Sequence, residues 1–261
     1  MDFEIAGNAA LITASSSGLG KASAKALAAE GVNVVINGRD EERLAEAKAE
    51  VEAVATGEVV AQAGDLTDPD DIETLVDRTV EEFDGIDHLV TSAGGPPSGS
   101  FLDTDDEDWY QAYDLLVMSV VRLARAAEPH LREGEGTIVT ITSRSVKEAI
   151  ENLVLSNSVR MGVIGLEKTL SQEFAPEIRS NAVLPGPHET QRIKDLVNQA
   201  VERGDYDSYE EGLADWAGNP LDRIGDPMEL GNTVAFLSSP KSGFINGTAI
   251  PIDGGATGSN L

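Results

Sequence analysis

The feature that most restricts this chain is an alternation. Short runs of β-branched and small apolar residues are separated by longer stretches with helical periodicity. The runs are AALITAS (9–15), VNVVING (32–38), VVAQAGD (59–65), DHLVTSAG (87–94), TIVTITS (137–143), SNAVLPG (180–186) and TAIPIDGG (248–255). Helices are expected near 18–30, 41–55, 69–84, 105–132, 156–175 and 227–238. Pro69 and Pro227 stand at helix starts, where a missing N–H costs nothing. Right-handed crossovers between such runs put helices on both faces of a parallel sheet. The expected fold is therefore α/β, a doubly wound seven-stranded parallel sheet covered on both faces. No repeat of about 20–50 residues, low-complexity tract or linker-like break divides residues 1–261, which read as a single domain. Ligands of such sheets sit at the carboxyl ends of the strands. This sequence collects its glycines and small polar residues there.

The first run passes into Thr13-Ala14-Ser15-Ser16-Ser17-Gly18-Leu19-Gly20 and then a helical segment, KASAKALAAEG. A strand, a tight small-residue turn and a helix N-terminus together cradle a pyrophosphate, since backbone N–H groups and the helix dipole face the anion. In that context the turn marks a nucleotide site on a Rossmann fold.

Charge narrows the partners. Nineteen basic and 46 acidic residues give a net charge of −27, and that field argues against nucleic acid and anionic membrane surfaces. No stretch approaches the roughly eighteen uninterrupted apolar residues of a membrane span. The start of the chain lacks the basic and apolar regions of a signal peptide. With no cysteine there are no disulfides or thiolate metal sites, which fits a cytoplasmic protein. The histidines are His88, His130 and His188, too scattered for a metal cluster. Acidic stretches such as DPDDIETL and DTDDEDW read singly as helix caps and solvated faces. Their sum should destabilise a compact fold unless molar salt, with a Debye length of about 3 Å, screens it. The composition suggests a halophilic source.

From the turn onward the sequence resembles the short-chain dehydrogenase/reductase family, nearly end to end, and 3-oxoacyl carrier-protein reductases in particular. The opening Thr-Gly-x-x-x-Gly-x-Gly motif is matched except at Ala14. The resemblance assigns cofactor contacts to Thr13, Ser15, Ser17, Gly18, Leu19 and Gly20. It places Asp65, with Leu66 behind it, against the adenine. Ser92-Ala93-Gly94 resembles the family's Asn-Ala-Gly step, implicating Ala93 and Gly94. NAVLPGPHET matches the Pro-Gly-x-x-x-Thr segment that cups the nicotinamide, implicating Pro185, Gly186, His188 and Thr190. At the end of the second run Gly38 takes the usual acidic position and Arg39 follows. An arginine there can clamp a 2′-phosphate, so the expected cofactor is NADP(H).

Family members that reduce carbonyls use a serine, a tyrosine, a lysine and a helix asparagine. The serine is present as Ser143. Alignment through Val163-Ile164-Gly165-Leu166 puts Ser156 at the tyrosine position and Arg160, also a cofactor contact, at the lysine position. Leu116 takes the asparagine position. A serine hydroxyl is far harder to ionise than a phenol, and Arg160 cannot donate its proton. Substitutes lie nearby: Lys147 in SRSVKEAI, and His188, which titrates in a useful range. Residues 191–219, with Tyr206, Tyr209 and Trp216, sit where the family carries a substrate lid.

The leading expectation is an NADP(H)-dependent oxidoreductase of a carbonyl/alcohol pair with a small-molecule substrate. The rival is a catalytically inactive NADP(H)-binding homologue acting as sensor or scaffold. Apolar residues on more than one face of 105–132 and 156–175, Leu115, Val117, Val120, Val121, Val163 and Leu166 among them, imply a homodimer or homotetramer.

Overall fold

Each expected run carries a strand, mostly shorter at its carboxyl end than the run itself. The strands are β1 (Ala9–Ile12), β2 (Asn33–Gly38), β3 (Val59–Ala63), β4 (His88–Thr91), β5 (Thr137–Ile141), β6 (Arg179–Pro185) and β7 (Ala249–Ile252). The computed structural model describes residues 2–259. Residues 1, 260 and 261 of the expected domain, and the side chains at 192, 195, 196 and 199 of the expected lid, lie outside that description. The strands form one sheet in the order β3-β2-β1-β4-β5-β6-β7, and every pair is parallel. The order reverses between β1 and β4, which opens a crevice at their carboxyl ends.

The helices are α1 (Gly18–Ala29), α2 (Glu41–Glu52), α3 (Pro69–Phe83), α4 (Asp106–Tyr113), α5 (Ser119–Glu133), α6 (Val154–Glu173), α7 (Gln191–Arg203), α8 (Tyr209–Ala217) and α9 (Pro227–Ser238). Some of the acidity is explained by their starts. Asp40, Asp68, Asp105 and Asp226 cap α2, α3, α4 and α9 by accepting backbone N–H bonds. Both faces of the sheet are buried. Ile12, Ile36 and Val139 pack with Leu27, Val51 and Val234 on one side. Leu11, Val35 and Ile138 pack with Leu75, Leu123 and Leu170 on the other. Successive strand residues point to opposite faces, so buried parallel strands read as continuous apolar runs.

One expected helix differs. The stretch 105–132 is broken by a π-helical turn at Asp114–Met118, between α4 and α5. The extra residue of such a turn rotates everything after it by about 100°, a phase shift that a sequence reading of one continuous helix does not register. Among the described residues, no helix is long and apolar enough to cross a membrane.

Candidate active site

The crevice is a cleft of about 880 Å³ running from Arg39 and Asp65 at one end to Arg160 and Thr190 at the other. Its floor is the turn after β1. Ala14 adopts φ 45°, a left-handed conformation that glycine takes at lower cost, so the departure from glycine is tolerated but strained. Gly20 is required more strictly, because a Cβ there would lie 2.5 Å from the Ala14 carbonyl oxygen. That close approach seats the α1 N-terminus against the turn and turns its N–H groups toward the cleft. The residues therefore fit a dinucleotide: a pyrophosphate at the helix start, and room on either side.

Two hydroxyls assigned to the cofactor are used by the fold instead. Thr13 is fully buried, donating to the Ser92 carbonyl at 2.7 Å and accepting the Ser92 N–H at 2.9 Å, which staples β1 to the end of β4. Ser15 donates to the Ile12 carbonyl at 2.6 Å and accepts the Asn37 N–H at 2.9 Å. Neither lines the cleft, whereas Ser16 and Ser17 do. Asn37, which sequence reasoning passed over, ties the turn to two strands. Its Oδ1 accepts the Ala14 N–H at 3.2 Å and its Nδ2 donates to the Gly64 carbonyl at 3.1 Å.

At the adenosine end Arg39 stands 3.7 Å from the Asp65 carboxylate, and Arg43 lines the same wall. Burial alone would raise the Asp65 pKa, but the Thr67 hydrogen bonds and the Arg39 charge outweigh it and hold the carboxyl below its ordinary value. The absence of an acid at Gly38 has a steric cause. A Cβ there would lie 2.7 Å from both Cβ and Oγ of Ser16, so only glycine lets the turn sit this close to β2.

The other end is built from the ends of β5 and α6. Ser143 Oγ accepts the Ser145 N–H at 3.1 Å, and Ser145 Oγ shares a hydrogen bond with Ser156 Oγ at 3.1 Å. Ser145, also missed in the sequence, thus joins the β5 serine to the α6 serine. Arg160 is buried, donates from Nη2 to the Gly94 carbonyl at 3.3 Å, and has no partner at Nε. Desolvation lowers it from its ordinary value to about 10, so it remains charged at neutral pH. The loop 94–101 crosses to this end, where Gly99 donates to the Asn152 carbonyl at 2.8 Å, just beyond SRSVKEAI.

Of the residues expected at the site, Ser17, Leu19, Gly20, Arg39, Asp65, Leu66, Ala93, Gly94, Arg160 and Thr190 line the cleft together. Gly18 faces the Thr190 methyl, 3.6 Å from where its Cβ would be. Pro185 and Gly186 pack beside the end of β7, with Gly186 close against Asp253. His188 faces elsewhere. Its Nδ1 meets the Gly186 carbonyl at 2.9 Å, and its ring lines a second cavity of about 240 Å³ with Arg223, Gly225 and Glu229. Burial pushes its pKa down. Leu116, in the π turn, is buried in an apolar cluster with Leu155, Val159 and Val163. Among the described residues no group of acidic, histidine or cysteine side chains could hold a metal.

Two helical turns beyond Arg160 lies Glu167, which a helical pattern alone reads as solvated. It is buried, and accepts hydrogen bonds from Thr140 on β5 and Ser180 on β6, with Thr91 donating to Thr140 at 2.8 Å. Desolvation, partly offset by those hydroxyls, pushes its pKa up to about 7 from 4.5. The unfolded chain therefore ionises Glu167 first as pH rises. Stability is lost between about pH 4.5 and pH 7, by about 3 kcal/mol. In Glu167→Gln that loss should disappear. Urea unfolding of both proteins at pH 5 and pH 8 checks this, and an equal change in both would refute it.

A seven-stranded parallel sheet with a glycine-dependent turn at its switch point defines a Rossmann-type dinucleotide-binding protein. The sequence profile described as Enoyl-(acyl carrier protein) reductase matches residues 13–257. This chain belongs to the short-chain dehydrogenase/reductase family. It is 30% identical to the 3-oxoacyl-[acyl-carrier-protein] reductase of a Synechocystis strain, over 94% of this chain and 95% of that protein. The crystal structure of L-sorbose reductase from Gluconobacter frateurii, complexed with NADPH and L-sorbose, superposes with a TM-score of 0.94 at 30% identity, covering 99% of this chain and 100% of that one. A short-chain oxidoreductase from Pseudomonas aeruginosa, described as containing an atypical catalytic center, gives a TM-score of 0.87 at 27% identity over 97% and 98% of the two chains.

Proposed function

We propose that this protein is an NADP(H)-dependent oxidoreductase of a carbonyl/alcohol pair, working without the family's tyrosine and lysine. The observation that carries the reading is Arg160: a buried, charged side chain with an unpartnered Nε, lining the dinucleotide cleft beside a chain of serine hydroxyls. NADPH would supply the hydride. Arg160 holds the nicotinamide ribose. Ser143 orients the substrate oxygen: the Ser145 N–H fixes one lone pair of its Oγ, and its O–H is available to donate. Ser156 is turned by Ser145 and extends the donor row. The proton comes from water or from Lys147, which ends the turn after Ser143, since His188 lines the second cavity and Leu116 cannot order a relay. Helices α7 and α8 close over this end as a lid. The cysteine-free sequence supports action in the cytoplasm.

NADP(H) is favoured by the paired arginines at the adenosine end. Arg39→Ala and Arg43→Ala should each weaken NADPH binding about tenfold while changing NADH binding little. Titration of cofactor fluorescence checks this, and equal losses for the two cofactors would remove these residues from the phosphate. Assembly as a homodimer or homotetramer is supported by Tyr110, Tyr113 and Met161, which are exposed on α4 and α6. Of the apolar residues that imply a partner, Val117, Val120 and Val163 form the core stripe within the chain, and Leu115, Val121 and Leu166 are only partly buried.

Leu116 and the missing phenol favour the second reading, an NADP(H)-binding sensor or scaffold without turnover. A panel of carbonyls with NADPH and alcohols with NADP+, assayed at molar KCl beside a binding measurement, separates the two. Turnover supports the enzyme; tight NADPH binding with no turnover supports the sensor.

A further inference from the structure

In a chain with 46 acidic and 19 basic residues, a lysine or arginine has carboxylates in excess around it. Among the described residues most basic side chains do stand within 4 Å of one, as in Lys21–Glu50, Arg122–Asp114, Arg132–Glu177 and Arg223–Glu229. Arg179 and Lys168 are taken up by backbone carbonyls instead. The cations outside both groups are Arg43, Arg125, Arg144, Lys147 and Arg160, for which no described carboxylate lies within 4 Å. Arg125 is exposed on α5, apart from the reactive serines. Arg43 belongs to the adenosine end. Of the remaining three, Arg160 lines the cleft, and Arg144 and Lys147 follow Ser143 directly along the chain.

Their arrangement is specific. A single 3₁₀ turn, Arg144–Val146, follows Ser143 directly. Side chains one 3₁₀ turn apart eclipse each other, so Arg144 and Lys147 share a face while Ser145 turns inward to Ser156. Both are half-buried. Two like charges held side by side repel, and they repel more at partly desolvated positions. Two acids lie nearby, and the Arg144 charge is one of the influences that hold the Asp253 carboxyl below its ordinary value. Asp253 accepts the Gly255 N–H at 3.0 Å and both the N–H and O–H of Thr257, and Glu148 accepts the Gly258 N–H at 3.1 Å. Counting these two against Arg144, Lys147 and Arg160 leaves one positive charge uncompensated. His188 adds none at neutral pH, because burial holds it neutral. One surplus charge suits a monovalent carboxylate better than a dianionic phosphate.

We propose that the hydride end takes a carbonyl compound, or the corresponding alcohol, that bears a carboxylate, held by Arg144 and Lys147 with the Arg160 charge beside it. This rests on the oxidoreductase reading and adds the substrate class. The oxygen to be reduced meets Ser143 while the carboxylate lies one 3₁₀ turn further along, so 2-oxo and 3-oxo acids have the right reach.

The test uses the NADPH-loaded full chain and two small probes of equal shape, oxamate and its neutral counterpart oxamide, followed by NADPH fluorescence at fixed high salt. Oxamate should bind about tenfold or more tightly than oxamide. Arg144→Gln combined with Lys147→Gln should erase that preference and leave NADPH affinity unchanged, which also reports that the variant is folded. Equal binding of the two probes, or a double variant that keeps the preference, overturns the proposal. The reading beneath it fails separately. With an oxamate preference but no turnover of 2-oxobutanoate or 3-oxobutanoate, the anion site stands and the oxidoreductase falls. With turnover of neutral ketones and no carboxylate preference, the enzyme stands and the anion site falls.

Discussion

In buffer below roughly 0.3 M KCl the protein is expected to lose its helical circular dichroism, and to regain it at molar KCl. The local electrostatics are favourable: aspartates cap helices, and acidic residues fill the first turns of α2 and α3. The ion pairs lie largely at the surface, where each is worth about 0–1 kcal/mol. None of this offsets a net charge of −27 spread over 261 residues. Without screening, each surface carboxylate feels the others over about a Debye length, roughly 10 Å at 0.1 M and 3 Å at 1 M. A thermal midpoint followed from dilute buffer to molar KCl measures the effect. A flat profile would mean that the charge is tolerated by other means, and the halophilic reading would be lost.

The second large effect is chemical. Ser143→Ala should lower kcat by about 10²–10³-fold and leave the NADPH dissociation constant where it was. The reason is the direction of one hydrogen bond. Ser143 Oγ accepts the Ser145 N–H, and its own O–H donates to no acceptor among the described residues, so that proton is available to a substrate oxygen. Ser145→Ala keeps that backbone bond but frees Ser156, so its effect on kcat should be smaller. Steady-state kinetics with cofactor titration on both variants decides the matter. Should Ser143→Ala turn over like the wild type, Ser143 does not touch the reacting oxygen.

What the sequence disclosed and what it hid follow from one distinction. The sheet was legible because buried parallel strands print uninterrupted apolar runs. The turn was legible because Gly18 and Gly20 fall between a strand and a helix, where the chain must bend tightly. The hydroxyls of Thr-Ala-Ser-Ser-Ser were not separable. Five small residues in a row carry no sign of which point inward, and the structure turns Thr13 and Ser15 into the fold and Ser16 and Ser17 toward the cleft. Glu167 was hidden for a similar reason, since a glutamate in a helix gives no hint that two hydroxyls wait for it across the sheet. His188 was placed in the correct loop, but the direction of its ring depends on Gly225, a residue 37 positions away that no local pattern connects to it.

The π turn at Asp114–Met118 bears on the history of the chain and on its redesign. An inserted helical residue is hard to gain and hard to lose, because removing it would swing every later side chain of α5 by about 100° out of its packing. Here the distortion carries an apolar packing residue, Leu116, at its centre. The frame on which a polar residue could be mounted is therefore still standing. Placing a hydrogen-bonding group at 116 calls for a substitution and some repacking around Leu155 and Val159, with no rebuilding of the main chain.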